Sequence, residues 1–514
     1  MFYSENPRTG ARGAAFANAT EDEIDRAVRA AQAAYGELRT FPAVRLAGLL
    51  DAIAGEIEAL GDALLKACDE ETGLGSARLA GERGRTTGQL RKFAALVREG
   101  SYVEAIIDTA QPDRQPAARP DIRRMLFPLG PVAVFAASNF PLAFSAAGGD
   151  TASALAAGCP VVVKAHPGHP VTSELIARAV VHAIEAQGVP AGTFGLIQGS
   201  TPEIGQTLVR HPGIAAVGFT GSLRAGRAIY DAAASRPTPI PVYAEMGSIN
   251  PVVVLPGAIE TRAESLADGL VGSVTLGNGQ FCTKPGLVFL LGTAQGERFI
   301  DIVTAKMRAA QPGVLLNRQI QHRLVEAVQD TLARPNVRKR TGGVVLDGPA
   351  CGYAQTVLQT DSATFRADPA LQREHFGPAT MLVTCDSLDD LIATLDVLEG
   401  NLTATVLAGD GELDVAARVY AVLREKAGRL IWNGFPTGVE VVHAMQHGGP
   451  YPASTAPATT SVGMAAIERF MRPVAYQNVP EPLLPDALKD ANPLGIWRLV
   501  DDRWTKEPIT RVVS

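Results

Sequence analysis

The chain reads as an α/β protein of more than one domain, and three observations predict this. At 514 residues it is longer than a single hydrophobic core supports, so it is expected to divide. From Arg124 onward, short apolar runs alternate with helical stretches, the pattern of βαβ units and of a parallel sheet buried on both faces. Composition is that of a globular protein: 46% of residues are hydrophobic and 19% charged, and no run of about 18 apolar residues asks for a membrane span.

Near the start, Thr20 with Glu23 three residues on makes a capping box that opens a helix running to about Ala34. Ala/Leu-rich helices follow from about Ala43 to Glu71, broken at Thr72-Gly73, and from Ala77 to Arg98. Between Ser101 and Asp121 the chain carries Pro112, Pro116 and Pro120, gives little helix signal and reads as an excursion from the body. The alternating region then predicts strands at Val132–Ala136, Val161–Lys164, Gly195–Ile197 and Ala215–Phe219. Helices are expected between them at Phe144–Ala157, Val171–Gln187 and Glu203–His211. A second αβ region begins at Tyr243–Val254 and includes a helix to Leu276 and strands at Leu287–Leu291 and Thr380–Thr384. The stretch from Leu430 to Pro457 is too rich in Gly, Pro and aromatics for regular structure and reads as a long ordered loop.

Forty-seven basic residues against fifty-three acidic ones, a net charge of -6, are well mixed and leave no polybasic patch for nucleic acid. The eight histidines and five cysteines show no C-x-x-C or H-E-x-x-H spacing, so no metal site is expected. A sparse, odd cysteine count and an N-terminus without a basic-then-apolar segment make the cytoplasm the expected compartment.

The chemistry centres on GNGQFCTKPG, Gly277 to Gly286, where Cys282 sits on a Gly-lined turn between a helix and a strand. Free cysteine usually acts as a small buried hydrophobe, but such a turn is also how an attacking sulfur is presented. In parallel sheets, ligands lie at the carboxyl ends of the strands. Three loops fall there: ASNFPL with Asn139, KAHPGHP with Lys164 at the strand end, and FTGS with Gly221 and Ser222. The G-x-G-x-x-G fingerprint is missing after the first strand. Gly221 and Ser222 either offer helix N–H groups to a phosphate or make an ordinary capped connection. Lys164 suits a ribose hydroxyl or a phosphate, and Asn139 either donates to an oxyanion or closes the turn before Pro141. Glu245 precedes a glycine and a strand, where a carboxylate is solvated, caps, or acts as a base beside a thiol.

NFPL, VVVK, GFTGS, AEMG, GQFC and EHFGP stand in the order and near the spacings of the aldehyde dehydrogenase superfamily, and NPRTG is a family-like opening. The chain resembles that superfamily over nearly its whole length. GRTTGQLRKF, RPDIRR, KAHPGHP, GQFCTKPG and PTGVEVVHAMQHGGPYPAST resemble the branch containing α-ketoglutaric semialdehyde dehydrogenases, which also holds an NADP-dependent long-chain fatty aldehyde dehydrogenase.

The resemblance implies that Cys282 attacks the aldehyde to give a thiohemiacetal and then a thioester, with Asn139 and the Cys282 N–H holding the oxyanion. Glu245 matches the general base for deacylation, and His447 an active-site histidine acting on Cys282 or on water. Lys164, Gly221 and Ser222 match contacts to the adenosine ribose and pyrophosphate, and Glu374 and Phe376 contacts to the nicotinamide ribose and ring. Where NAD-preferring members carry a glutamate three positions after the lysine, this chain has Pro167, which removes a charge that would repel a 2′-phosphate. NADP is therefore expected to be accepted alongside NAD.

The architecture implied is a Rossmann-type cofactor domain (1–100 and 122–244), an α/β catalytic domain (245–440), and a β oligomerisation element with the C-terminal tail (101–121 and 441–514). A homodimer or homotetramer follows, with Arg469–Val479 as the strand that adds to a neighbour's sheet. The expected substrate is a small-molecule aldehyde, α-ketoglutaric semialdehyde oxidised to 2-oxoglutarate, against a long aliphatic aldehyde as the alternative. A catalytically retired, ligand-binding member of the fold is the alternative of another class. An anionic aldehyde needs a cation, and Arg83, Arg85 and Arg91 on one helix are candidates by position, although helix arginines are more often solvated.

Overall fold

A computed structural model describes residues 1–510. Its first large sheet has five parallel strands, in spatial order Phe194–Ile197, Val161–Lys164, Val132–Phe135, Ala216–Thr220, Val242–Glu245. The chain starts in the middle, winds outward to one side and then crosses to the other, so the order reverses beside Val132–Phe135. That switch point leaves a crevice at the carboxyl ends of the central strands. Side chains alternate between faces: Val161 and Val163 pack with the helices Ala43–Ala59, Ser76–Glu99 and Pro170–Ala186. Val162 packs with the opposite helices, Glu21–Leu38, Pro202–Arg210 and Leu223–Ala234. Burial on both faces explains why these strands are apolar throughout. The capping box is present, with Thr20 accepting from the Glu23 N–H and the Glu23 carboxylate accepting from Thr20 N at 2.8 Å.

The second sheet has seven strands, in order Arg338–Thr341, Thr356–Asp361, Ala379–Cys385, Leu287–Leu291, Val252–Val254, Asn401–Leu407, Ala427–Trp432. All pair in parallel except Arg338–Thr341. Helix Pro256–Thr275 leads into the cysteine loop, and strand Leu287–Leu291 leaves it.

A third sheet is built from distant pieces: Met471–Gln477, Ile122–Pro128, Ile106–Asp108, Arg498–Val500 and Arg503–Thr505. The proline-bearing excursion therefore contains a strand, and Ile122–Pro128, beyond the boundary drawn at 121, belongs to this sheet. Met471–Gln477 runs antiparallel to it with Met471 opposite Pro128. That pairing lies between residues more than 340 positions apart in sequence, which local pattern cannot reveal. It leaves Met471–Gln477 as an edge strand.

Two expectations need correction. The helix expected over Phe144–Ala157 is confined to Gly149–Ala156. The preceding segment folds back on itself, with Gly149 N donating to Ala143 O at 3.0 Å and Ala137 N to Phe144 O at 2.8 Å. A Cβ on Gly148 would meet Ala143 O at 2.5 Å, so the turn is too tight for any other residue. The long loop expected from Leu430 starts later, because Leu430 to Trp432 finish the strand Ala427–Trp432.

Candidate active site

The crevice at the switch point opens into a cleft of about 1060 Å³ between the first two sheets. Lys164, Gly221 and Ser222 line it from the first sheet, Glu374 and Phe376 from the second, and Asn139 and Cys282 stand at its inner end. The sequence-derived residues thus converge, with two exceptions. Glu245 and His447 lie off the cleft wall, 3% and 2% exposed, and reach the site from behind the sulfur.

Cys282 is partly exposed, unlike the other four cysteines, which are buried. Its loop turns through three successive left-handed residues, Gly277, Asn278 and Gly279, at φ 56°, 54° and 70°. At Gly279 a Cβ would meet the Gly377 carbonyl at 2.2 Å, so this loop packs directly against the EHFGP loop. Asn250, itself at φ 47°, holds the loop from below by donating to the carbonyls of Cys282 at 2.8 Å and Lys284 at 3.0 Å. Asn139 donates to Gln280 O at 2.9 Å, which fixes its amide beside the sulfur. Its own backbone loop is clamped by Glu82, whose carboxylate accepts from Leu142 N at 2.9 Å and Ala143 N at 3.0 Å.

Cys282 Sγ is 3.7 Å from His447 Nε2. The other imidazole nitrogen, Nδ1, bonds the Glu245 carboxylate, which also accepts from Ser461 Oγ. Donor atoms of the three residues lie within 4.8 Å of one another. With both nitrogens facing protein partners, the imidazole links a carboxylate to a thiol, the arrangement that moves a proton from sulfur. Burial opposes charge on His447, but the Glu245 carboxylate and the Cys282 sulfur outweigh it and raise its pKa above the usual imidazole value. Burial likewise opposes charge on Glu245, yet His447 and the Ser461 hydroxyl hold its pKa below the usual range. Both contacts thus make the imidazole a better proton acceptor than a free one. Ser461, 216 residues from Glu245, was invisible in the sequence because it sits in a Ser/Thr-rich loop with no local pattern around it.

Other placements qualify the sequence reading. Lys164 is 8% exposed, and its ammonium donates to Ala165 O at 2.8 Å and Gly199 O at 2.5 Å. Burial lowers its pKa to about 8. Ser222 caps helix Leu223–Ala234, accepting from Ala225 N at 3.4 Å, and the helix N-terminus faces the cleft. Thr220 Oγ1, at the same strand end, is buried without a partner among the described residues. A Cβ on Gly247 would meet Glu374 Oε2 at 2.7 Å, so the Glu374 carboxylate can approach the cleft only over a glycine. These features fit a dinucleotide: the helix N-terminus would take its phosphates, Lys164 one ribose and Glu374 the other. Lys284, also missed by sequence, is fully buried, bonds Ala379 O at 2.5 Å and faces Glu374, whose pKa burial raises.

The aldehyde dehydrogenase family profile matches residues 1–472. The chain belongs to the aldehyde dehydrogenase family. An α-ketoglutaric semialdehyde dehydrogenase 2 of Azospirillum brasilense is 50% identical over 489 residues, 95% of this chain and 93% of the relative. An α-ketoglutaric semialdehyde dehydrogenase of Acinetobacter baylyi is 46% identical over the same shares. Among solved structures, a 3,6-anhydro-L-galactose dehydrogenase in complex with NAP superposes with TM-score 0.79 at 23% identity, covering 92% of this chain and 95% of that one. The fold is that of the family, and the chain is an NAD(P)-dependent enzyme that oxidises aldehydes through a cysteine. No helix among the described residues is long and apolar enough to cross a membrane.

Replacing Asn250 with Ala removes two hydrogen bonds to the cysteine loop and leaves a left-handed residue that Ala disfavours. Unfolding free energy should fall by about 2–3 kcal/mol in urea titration. The kcat should drop at least about tenfold, with KM for the cofactor nearly unchanged. An unchanged kcat would show that the loop holds its own shape.

Proposed function

We propose that this aldehyde dehydrogenase oxidises α-ketoglutaric semialdehyde to 2-oxoglutarate, accepts NADP as well as NAD, and works in the cytoplasm as a homodimer or homotetramer. The substrate rests on the two relatives at 50% and 46% identity over nearly the full chain. The mechanism rests on one observation, the run of contacts from Glu245 through His447 to Cys282.

In this reading His447 Nε2 takes the proton of Cys282, and the sulfur attacks the aldehyde carbon to form a thiohemiacetal. Asn139 keeps one amide hydrogen for the oxyanion while the other holds Gln280 O, and the Cys282 N–H is the second donor. NAD(P), when bound, would supply the hydride acceptor for this adduct. Once His447 has passed that first proton to solvent, water attacks the thioester and gives its proton to the Glu245–His447 pair, the Cys282 sulfur leaves as the acid forms, and Glu245 stabilises the imidazolium at each step. Lys164, Gly221, Ser222, Glu374 and Phe376 hold the cofactor. Pro167 lines the cleft beside Lys164 and His166, with no carboxylate at that position to repel a 2′-phosphate, which supports use of NADP. Met471–Gln477 and Ala427–Trp432 are edge strands of two different sheets, and Leu430 and Trp432 are exposed on the latter. Strand addition between copies covers such edges.

Reduction of NADP and NAD at 340 nm with α-ketoglutaric semialdehyde against a long aliphatic aldehyde tests the substrate. A preference of about a hundredfold in kcat/KM, roughly 2.7 kcal/mol, supports the keto-acid reading, whereas a preference for the aliphatic aldehyde overturns it. Comparable turnover with both cofactors is expected, and failure of NADP to bind at millimolar levels overturns that part.

Because Glu245 and His447 act as one unit, Glu245→Gln and His447→Gln should each lower kcat by about 10²–10³-fold, and the double variant should lose little more. Multiplying losses would mean that the two residues serve separate steps. Light scattering should return a mass of two or four chains, and a monomeric mass removes the strand-addition reading.

A further inference from the structure

Helix Ser76–Glu99 presents three arginines that meet different fates. Arg91 is spent on the surface in a two-pronged pair with Glu58, at 2.5 and 2.7 Å. Arg83 donates to the Gly61 carbonyl at 2.9 Å. Arg85 turns inward, and its Nε and Nη2 are buried without a hydrogen-bond partner among the described residues.

The position of that guanidinium can be traced contact by contact. It lies 5.7 Å from the centre of the Phe140 ring and 5.1 Å from that of Phe144. Phe140 directly follows Asn139, and its ring stands edge-on to Phe281 at 5.0 Å. Phe281 directly precedes Cys282. Arg85 is therefore separated from the nucleophile by the thickness of the aromatic pair that flanks it.

The charges acting on it agree with this placement: the Cys282 sulfur first, then Glu82, Glu440 and Glu245. Glu82 is committed to two backbone N–H groups and Glu245 to His447 and Ser461. Glu440 is exposed and makes no hydrogen bond to Arg85 among the described residues. An enclosed cation with unspent donors is costly. A helix arginine with only packing duties would instead extend its head to water.

We infer that Arg85 forms the subsite for the far carboxylate of the aldehyde substrate, received over Phe140 and Phe144 while the aldehyde end reaches Cys282. Arginine suits this because its planar fork takes both carboxylate oxygens and stacks on aromatic faces. Glu440, exposed and close enough for its charge to act on Arg85, opposes the approach of an anion to that guanidinium. The inference rests on the keto-acid reading proposed above and names the residue responsible for it.

The test compares α-ketoglutaric semialdehyde with pentanal, an uncharged aldehyde of equal chain length, at saturating NADP. Arg85→Ala should lower kcat/KM for the keto acid by at least about a hundredfold, chiefly through KM, and change that for pentanal less than about threefold. Arg85→Lys should recover part of the loss, and Glu440→Gln should lower KM for the keto acid by about two- to fivefold. NADPH binding, followed by its fluorescence, should be unaltered in all three, which separates a lost subsite from a lost fold. A wild-type enzyme without preference for the keto acid sinks the substrate reading itself. A wild-type preference that Arg85→Ala leaves intact, or an equal fall for both aldehydes, sinks the role of Arg85.

Discussion

The structure turns on one buried ion pair. Glu245 ends the last strand of the cofactor sheet at 3% exposure, where a lone carboxylate would be costly. Its partners come from far along the chain: His447 is 202 residues away and Ser461 216. The sulfur facing the same imidazole arrives on the loop that enters the second sheet. None of these segments can satisfy its charge or its hydrogen bonds alone, so docking of the sheets and formation of the site are one event.

The loops that meet this pair are held as firmly as the pair itself. The cysteine loop takes three left-handed residues in succession and packs its glycine against the EHFGP loop, so the loops of Cys282 and Glu374 share one backbone contact. The Asn139 loop is fixed by Glu82 beneath it and by Arg78, which donates to Asn139 O at 2.6 Å. Rigid mounting of the Asn139 and Cys282 loops fixes their mutual position, and at a reacting centre misplacement by an ångström is costly.

Charge is distributed so that cations surround the reacting sulfur without pairing to it. Arg85 and Arg429 both feel the Cys282 sulfur, and burial lowers the pKa of each. Arg429 supports the loop after its strand by donating to Pro436 O at 2.7 Å and Gly438 O at 3.1 Å. The acids near them are already engaged or exposed. Such a field favours negative charge near the Cys282 sulfur.

The α/β class, the parallel cofactor sheet and the loops that carry Cys282, Asn139, Lys164 and Ser222 were legible in the sequence. Periodicity and turn chemistry are local properties, and the family resemblance identified which loops matter. The sequence by itself also singled out Glu245 and His447, but only as members of separate motifs. Tertiary structure alone decided that they bond each other and that the imidazole meets the sulfur, that Ser461 bonds Glu245 while Asn250 holds the cysteine loop and Lys284 faces Glu374, and that Arg85 turns inward while Arg83 and Arg91 are satisfied elsewhere. Those facts depend on contacts across tens to hundreds of residues, and no short-range pattern specifies which buried donor finds which acceptor.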